Sequence, residues 1–313
     1  MSYGILFSGQ GAQKAGMGLD FLGDPLFKDT IEKASSASHQ DLVAIFKDEN
    51  GELNKTINVQ PALVAFEIGI FRMIKRDTNL NISGMVGLSL GEYSAMYASG
   101  AIDLENCLSL VSDRARYMQE DADQVENGIA AILKPQLDEI ETLIQDLQKQ
   151  NRRVYIANYN SPKQIVIAGE KSDVELAAKQ IKDQELAHKI ITLKVNGAFH
   201  TPLFDGAKAK MTKRLANVEF QENKIPVISN TTALPFSNNW RDIMAKQLAE
   251  PTHFGACVQY LVEHEQVDQI LEICPGKVLS SFARQIDRRL KCSHIGSYAE
   301  YQAFIEEKYG IKE

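Results

Sequence analysis

Ser89 stands between two glycines in Gly87-Leu88-Ser89-Leu90-Gly91, a spacing that suits a nucleophile held at the tip of a sharp strand-to-helix turn. In such an elbow the serine backbone is strained and its Oγ projects above a sheet, while the glycines let neighbouring elements approach closely. Gly84-Met85-Val86 reads as a short buried strand before the turn and Glu92 to Ala98 as a helix after it, which is the setting the motif requires. An ordinary tight connection has the same spacing. A serine hydroxyl attacks a carbonyl carbon only with a base in reach. Of the six histidines, His200 lies in a loop bounded by Gly197 and Pro202, where it can face a cleft. His39, His188, His253, His264 and His294 lie in polar, surface-like stretches.

A second glycine loop opens the chain. Tyr3 to Phe7 reads as a buried strand running into Ser8-Gly9-Gln10-Gly11-Ala12-Gln13, where backbone N–H groups can approach a ligand and supply an oxyanion donor. A flexible turn or a phosphate loop fits the glycines equally, although the lysine-serine ending of a P-loop and the dinucleotide spacing are both missing. Arg114 carries a third signal. On a helix from Leu104 to Gln119, the residues Leu104, Cys107, Leu108, Val111, Ala115 and Met118 form one apolar stripe that Arg114 joins, whereas Arg116 is rotated from it by roughly 200°. Arg114 therefore points inward and requires an anion, either an internal Asp or Glu or a substrate carboxylate.

The elbow continues as Gly91-Glu92-Tyr93-Ser94-Ala95, and the opening reads Phe7-Ser8-Gly9-Gln10-Gly11-Ala12-Gln13. Together with Asn58 to Leu63, Arg114 to Glu120, Ala157 to Pro162, Gly197 to Leu203, Gln247-Leu248 and Pro275 to Leu279, these stretches resemble the malonyl-CoA:acyl carrier protein transacylases, acyltransferases of fatty acid and polyketide synthesis. Leu88 and Ser8 depart from the histidine and proline common at those positions. The resemblance implies an α/β-hydrolase-like parallel-sheet domain with an inserted ferredoxin-like subdomain. It makes Ser89 the nucleophile and His200 the base, oriented by the backbone carbonyl of Gln247, with an oxyanion hole formed by the N–H groups of Gln10 and Leu90. Arg114 would hold the malonyl carboxylate, while Phe199 and Gln60 would shape the acyl pocket, Phe199 leaving little room for a methyl branch. It implies a two-step, ping-pong transfer from malonyl-CoA to the phosphopantetheine thiol of acyl carrier protein, with no metal and no other cofactor. Three readings stand beside it: a trans-acting polyketide acyltransferase, an acyl-carrier-protein hydrolase, for which a carboxylate clamp has little use, and a non-catalytic binding module.

Composition sets bounds around these motifs. With 313 residues, 44% of them hydrophobic, the chain can bury one large core or two smaller ones. A net charge of −7 argues against nucleic acid or an anionic membrane as partner. No apolar stretch reads as a membrane span and no signal peptide is evident, so a cytoplasmic protein is expected, and a monomer. Cys107, Cys257, Cys274 and Cys292 are scattered, without metal-site spacing, and are expected to be reduced core thiols. For docking an acidic carrier, Lys208, Lys210, Lys213 and Arg214 form one candidate basic patch and Arg284, Arg288, Arg289 and Lys291 another.

The elements that must position the site follow from hydrophobic period. Buried strands are expected near 3–7, 84–87, 225–229 and 269–273, separated by helices, which predicts a parallel sheet covered on both faces. Between them, strands at Gly128 to Leu133, Arg153 to Ala157, Gln164 to Ala168 and Lys189 to Val195 alternate with helices at Gln136 to Gln150 and from a Ser172 cap to Gln184. Strand-helix-strand-strand-helix-strand is the ferredoxin-like order. The expected division is residues 1–124 and 196–313 for the large domain and 125–195 for the inserted one.

Overall fold

In the computed structural model, which describes residues 1–193 and 197–310, the run Tyr3–Phe7 (β1) is wholly buried at the centre of a parallel sheet. Ile82–Gly87 (β2) lies on one side of it and Gln269–Ile273 (β7) on the other, with Lys291–Ile295 (β8) outermost. All three pairings are parallel. The register sets Phe7 opposite both Gly87 and Ile273, so three strands end at one level. Ser8, Leu88 and Cys274 therefore leave the sheet side by side, at the carboxyl edge where open α/β sheets bind ligands.

The antiparallel sheet is built from Asn127–Pro135 (β3), Val154–Ser161 (β4), Gln164–Glu170 (β5) and Ala187–Thr192 (β6), in the order β4-β5-β3-β6. With helices Leu137–Lys149 and Lys171–Asp183 between them, this is the ferredoxin-like topology. The period of two decides its faces. Ala130, Ile132, Ile165 and Ile167 pack with Ile140, Ile144, Val174 and Ile181 of the two helices, whereas Ile129, Ala131, Val166 and Ala168 turn the other way, into a cavity shared with the parallel sheet.

Several sequence expectations need correction. No strand forms at 225–229: Val227 makes only an isolated bridge to Met85. Pro226 has no N–H to extend a ladder, and Ser229 already donates to Leu234 O (2.9 Å) as the chain turns back. β8 escaped notice because Lys291-Cys292-Ser293-His294 shows no apolar run; it is an edge strand, only partly buried. Ser172 is not a helix cap; the Lys171–Asp183 helix starts straight from Glu170 at the end of β5 with no side-chain cap. The expected strand through Val195 ends at Thr192, and residues 194–196, with the boundary placed among them, lie outside the described residues. Helix Thr56–Asp77 is long and apolar enough to cross a membrane by length and composition, with mean hydropathy 1.4, but 83% of that window is buried inside the fold. A helix apolar all round is what the centre of a two-layered core demands.

Candidate active site

The elbow is forced by its glycines. Ser89 adopts φ 53°, a left-handed conformation costing of order 1–3 kcal/mol for a residue with a side chain. A Cβ on Gly87 would run into the backbone of Gly91, and one on Gly91 into the carbonyls of Phe7 and Ser8. The strain is held in place by Asn230, a residue without a local sequence signal. Ser89 N–H donates to Asn230 Oδ1 (2.6 Å) and Asn230 Nδ2 donates to Gly87 O (2.8 Å), so one amide spans the turn. Glu92, fully buried on the elbow helix Gly91–Ser99, accepts from Asn230 N–H (2.6 Å) and from Gln247 Nε2.

His200 is brought to the same place from the far end of the inserted sheet. Its own backbone is left-handed (φ 62°) and its N–H donates to Leu248 O (3.1 Å). The ring Nδ1 lies 2.7 Å from Gln247 O. A carbonyl only accepts, so Nδ1 carries the proton and Nε2 is left as an acceptor. The ring is 4% exposed; burial, and then the positive charge of Arg114, push its pKa down from 6.5 to about 4. A lowered histidine pKa contributes stability that is complete above 6.5 and is lost as pH falls through about 4. Ser89 and His200 line one cavity of about 380 Å³ together with Gln10, Leu88 and Phe199. Phe199 packs edge-on against Phe204 (5.1 Å between centroids), and its ring folds back over Gly197, where a Cβ would collide with it.

Arg114 points inward, as its helical phase requires, and is 1% exposed, while Arg116 pairs at the surface with Asp113 and Glu120. Its Nη2 donates to Ser89 Oγ and to Gln247 Oε1, both at 3.1 Å. Its plane lies 5.5 Å from the centroid of Tyr93. Among the described residues it forms no ion pair, and its buried Nε has no partner. Burial lowers its pKa, opposed by Tyr93 and Glu92. Burial also raises Glu92 to about 7, against the hydrogen bonds and the Arg114 charge that lower it.

The remaining expected residues divide. The Gln10 and Leu90 N–H groups make no hydrogen bond within the described residues. Gln10 Nε2 donates to Thr56 Oγ1 (3.1 Å) and its Oε1 accepts from Gln60 Nε2 (3.3 Å). Gln60 does not line the cavity; it is buried behind Gln10 with its own Oε1 unpartnered. His294 is not a surface residue: its Nε2 lies 2.7 Å from Cys274 O and its Nδ1 3.2 Å from Glu300. The first basic patch is largely neutralised, since Lys208, Lys210 and Arg214 pair with Glu250, Glu120 and Asp113. In the second, Arg289 pairs with Asp287, while Arg284 and Arg288 share a groove with Lys163 and Lys277. All four cysteines are free, three of them buried.

Residues 5–294 match the family model described as acyl transferase domain. A malonyl CoA-acyl carrier protein transacylase of Bacillus subtilis is 33% identical over 92% of this chain and 91% of its own length. One from Staphylococcus aureus is 30% identical over 96% and 98%. Among solved structures, the MCAT of Streptococcus pneumoniae superposes with a TM-score of 0.91 at 36% identity, covering 97% of this chain and 99% of that one. A malonyl-transacylase crystallised with a type II PKS acyl-carrier protein gives 0.93 at 31% identity, covering 98% and 100%.

Asn230→Ala removes the acceptor for Ser89 N–H and the donor to Gly87 O together. With the Gly87 carbonyl buried and the Ser89 N–H partly buried, the variant is expected to lose about 1–3 kcal/mol of stability, read as a shift in the urea midpoint at unchanged slope. A variant as stable as the parent contradicts this role.

Proposed function

This chain belongs to the acyl transferase family, and on that premise we propose that it moves a malonyl group from malonyl-CoA to the phosphopantetheine thiol of an acyl carrier protein, through an ester on Ser89, in fatty acid biosynthesis. The observation that carries the reading is Arg114. A buried guanidinium that forms no ion pair among the described residues and donates to Ser89 Oγ at 3.1 Å is suited to hold an anion beside the proposed nucleophile. Guanidinium offers a planar fork that fits a terminal carboxylate by two hydrogen bonds. A malonyl group attached to Ser89 carries such a carboxylate, and an acetyl or fatty acyl group does not.

In this reading His200 Nε2 takes the Ser89 proton as Oγ attacks the thioester carbonyl carbon. The charge on the oxygen falls to the N–H groups of Gln10 and Leu90. Collapse breaks the carbon–sulfur bond, and the CoA thiolate leaves with the proton from His200. The carrier thiol then yields its proton to His200 and attacks the ester, and Ser89 recovers its proton as it is released. Gln247 O holds Nδ1–H throughout and stabilises the imidazolium in each half-reaction. This chemistry calls for no metal or redox group. An acidic carrier fits the groove of Lys163, Arg284 and Arg288, whose fourth cation, Lys277, pairs with Glu300, next to Val278 and Phe282 on the cavity wall.

Mixing with malonyl-CoA alone is expected to add one malonyl group to the intact protein, and subsequent carrier protein to remove it; an adduct that persists in Ser89→Ala contradicts the nucleophile. Arg114→Ala tests the specificity. It should lose malonyl transfer while keeping or gaining acetyl transfer, changing the ratio of kcat/KM values by on the order of a hundredfold, since a buried charged hydrogen bond contributes roughly 2–4 kcal/mol. An unchanged ratio in a variant with native circular dichroism makes Arg114 an internal structural charge.

A further inference from the structure

One buried carboxyl beneath the cavity has no part in that chemistry. Glu67 lies inside helix Thr56–Asp77 and is fully buried. Its Oε1 accepts from Ser8 N–H (2.7 Å) and from Ser8 Oγ (2.6 Å), and its Oε2 lies 2.6 Å from Ser94 Oγ. Ser8 is the first residue after β1 and stands two before Gln10. Ser94 lies on the helix that begins at the elbow, just after Leu90. One side chain thus joins the two segments whose N–H groups face the reacting carbonyl in the reading above. The tie to Ser8 uses both its N–H and its hydroxyl.

We infer that Glu67 is a positioning residue for acyl transfer, a hydrogen-bonded cross-link that fixes the Ser8–Gln10 loop against the elbow helix and so sets the spacing of the two oxyanion donors. Three geometric facts support it: both Glu67 oxygens are engaged, both partner segments begin at strand ends that share one register level, and nothing else polar in the Thr56–Asp77 helix reaches Ser8. The protonation state is consistent. Burial, opposed by the bonds from Ser8 and Ser94, raises the Glu67 pKa to about 8, with Glu272 of β7 also raising it. Burial raises the Cys274 thiol to about 12, with Glu272 and Glu67 adding to the shift. All three bonds are donated to Glu67, from Ser8 N–H, Ser8 Oγ and Ser94 Oγ. A carboxylate there would face the Glu272 carboxyl, which is occupied by Leu279 and Ser280 N–H.

This inference rests on the reading of Ser89 as the acylated residue with Gln10 and Leu90 as oxyanion donors, and the Ser89→Ala blank tells failure of the nucleophile reading from failure of the inference. The rate of malonyl-Ser89 formation is measured by rapid-quench intact mass on Glu67→Gln, Glu67→Ala and Ser8→Ala, with Ser89→Ala as the blank. Glutamine keeps an acceptor for Ser8 and a donor for Ser94, so Glu67→Gln should acylate within about threefold of the parent. Glu67→Ala should be ~10–100-fold slower at a KM for malonyl-CoA within about twofold, because a misplaced oxyanion donor weakens only the transition state. Ser8→Ala, which retains the N–H, should fall between them. A parental rate in Glu67→Ala, or a Glu67→Gln variant as slow as Glu67→Ala with native circular dichroism, overturns the inference. If Glu67→Ala does not fold, Ser8→Ala decides, a parental rate there overturning it. An adduct in Ser89→Ala instead defeats the nucleophile reading.

Discussion

The site depends on Gln247, a fully buried residue at the end of helix Trp240–Lys246. Carbonyls at a helix C-terminus lack intrahelical partners, and Gln247 gives its own to His200 Nδ1 at 2.7 Å. Its side-chain Oε1 accepts from Arg114 (3.1 Å), and its Nε2 donates to Ser89 O (2.9 Å) and to Glu92. One residue therefore ties the proposed base, the proposed carboxylate clamp, the backbone of the proposed nucleophile and the buried acid of the elbow helix into a single network. Because each group is desolvated, losing any one contact leaves a buried polar atom unpaired, which costs more than the contact itself contributes. The arrangement is thereby fixed before a substrate arrives, as electrostatic stabilisation of a developing charge requires.

Desolvation also decides the charges in this network. It lowers His200 to about 4, raises Glu92 to about 7 and lowers Arg114. The guanidinium charge reinforces the first of these shifts and opposes the second. Burial first, and then the Arg114 charge, keep the imidazole neutral. The same burial that makes Arg114 costly in the free protein would, in the proposed reading, make it discriminate in favour of an acyl group carrying a carboxylate.

Much of this was legible in the sequence because the decisive features are local. Glycine at positions 87 and 91 follows from steric contact across one turn, and the burial of Arg114 follows from helical phase along one helix. The ferredoxin-like order follows from alternating periods within about seventy residues. What escaped the sequence is non-local. Asn230 reaches the elbow across 141 positions and Gln247 Nε2 reaches Ser89 O across 158, and nothing near either residue marks it as an elbow partner. Glu67 reads as a lone charge in an apolar helix until Ser8 and Ser94 are placed beside it. The polar edge strand β8 and the single bridge at Val227 show the other limit. Where one face of a strand is wet, or a proline interrupts the ladder, hydrophobic period no longer reports pairing.

The central claim is that burial and the neighbouring Arg114 charge keep His200 a neutral imidazole while Gln247 O holds the proton on Nδ1, leaving Nε2 as an acceptor. Nitrogen-15 NMR of the histidine side chains, titrated from neutral to acid pH with His200 assigned by substitution, reads both the tautomer and the pKa. The account predicts an Nδ1–H tautomer that persists well below pH 6.5 and titrates near 4. An Nε2–H tautomer, or a midpoint at the ordinary histidine value, would contradict it.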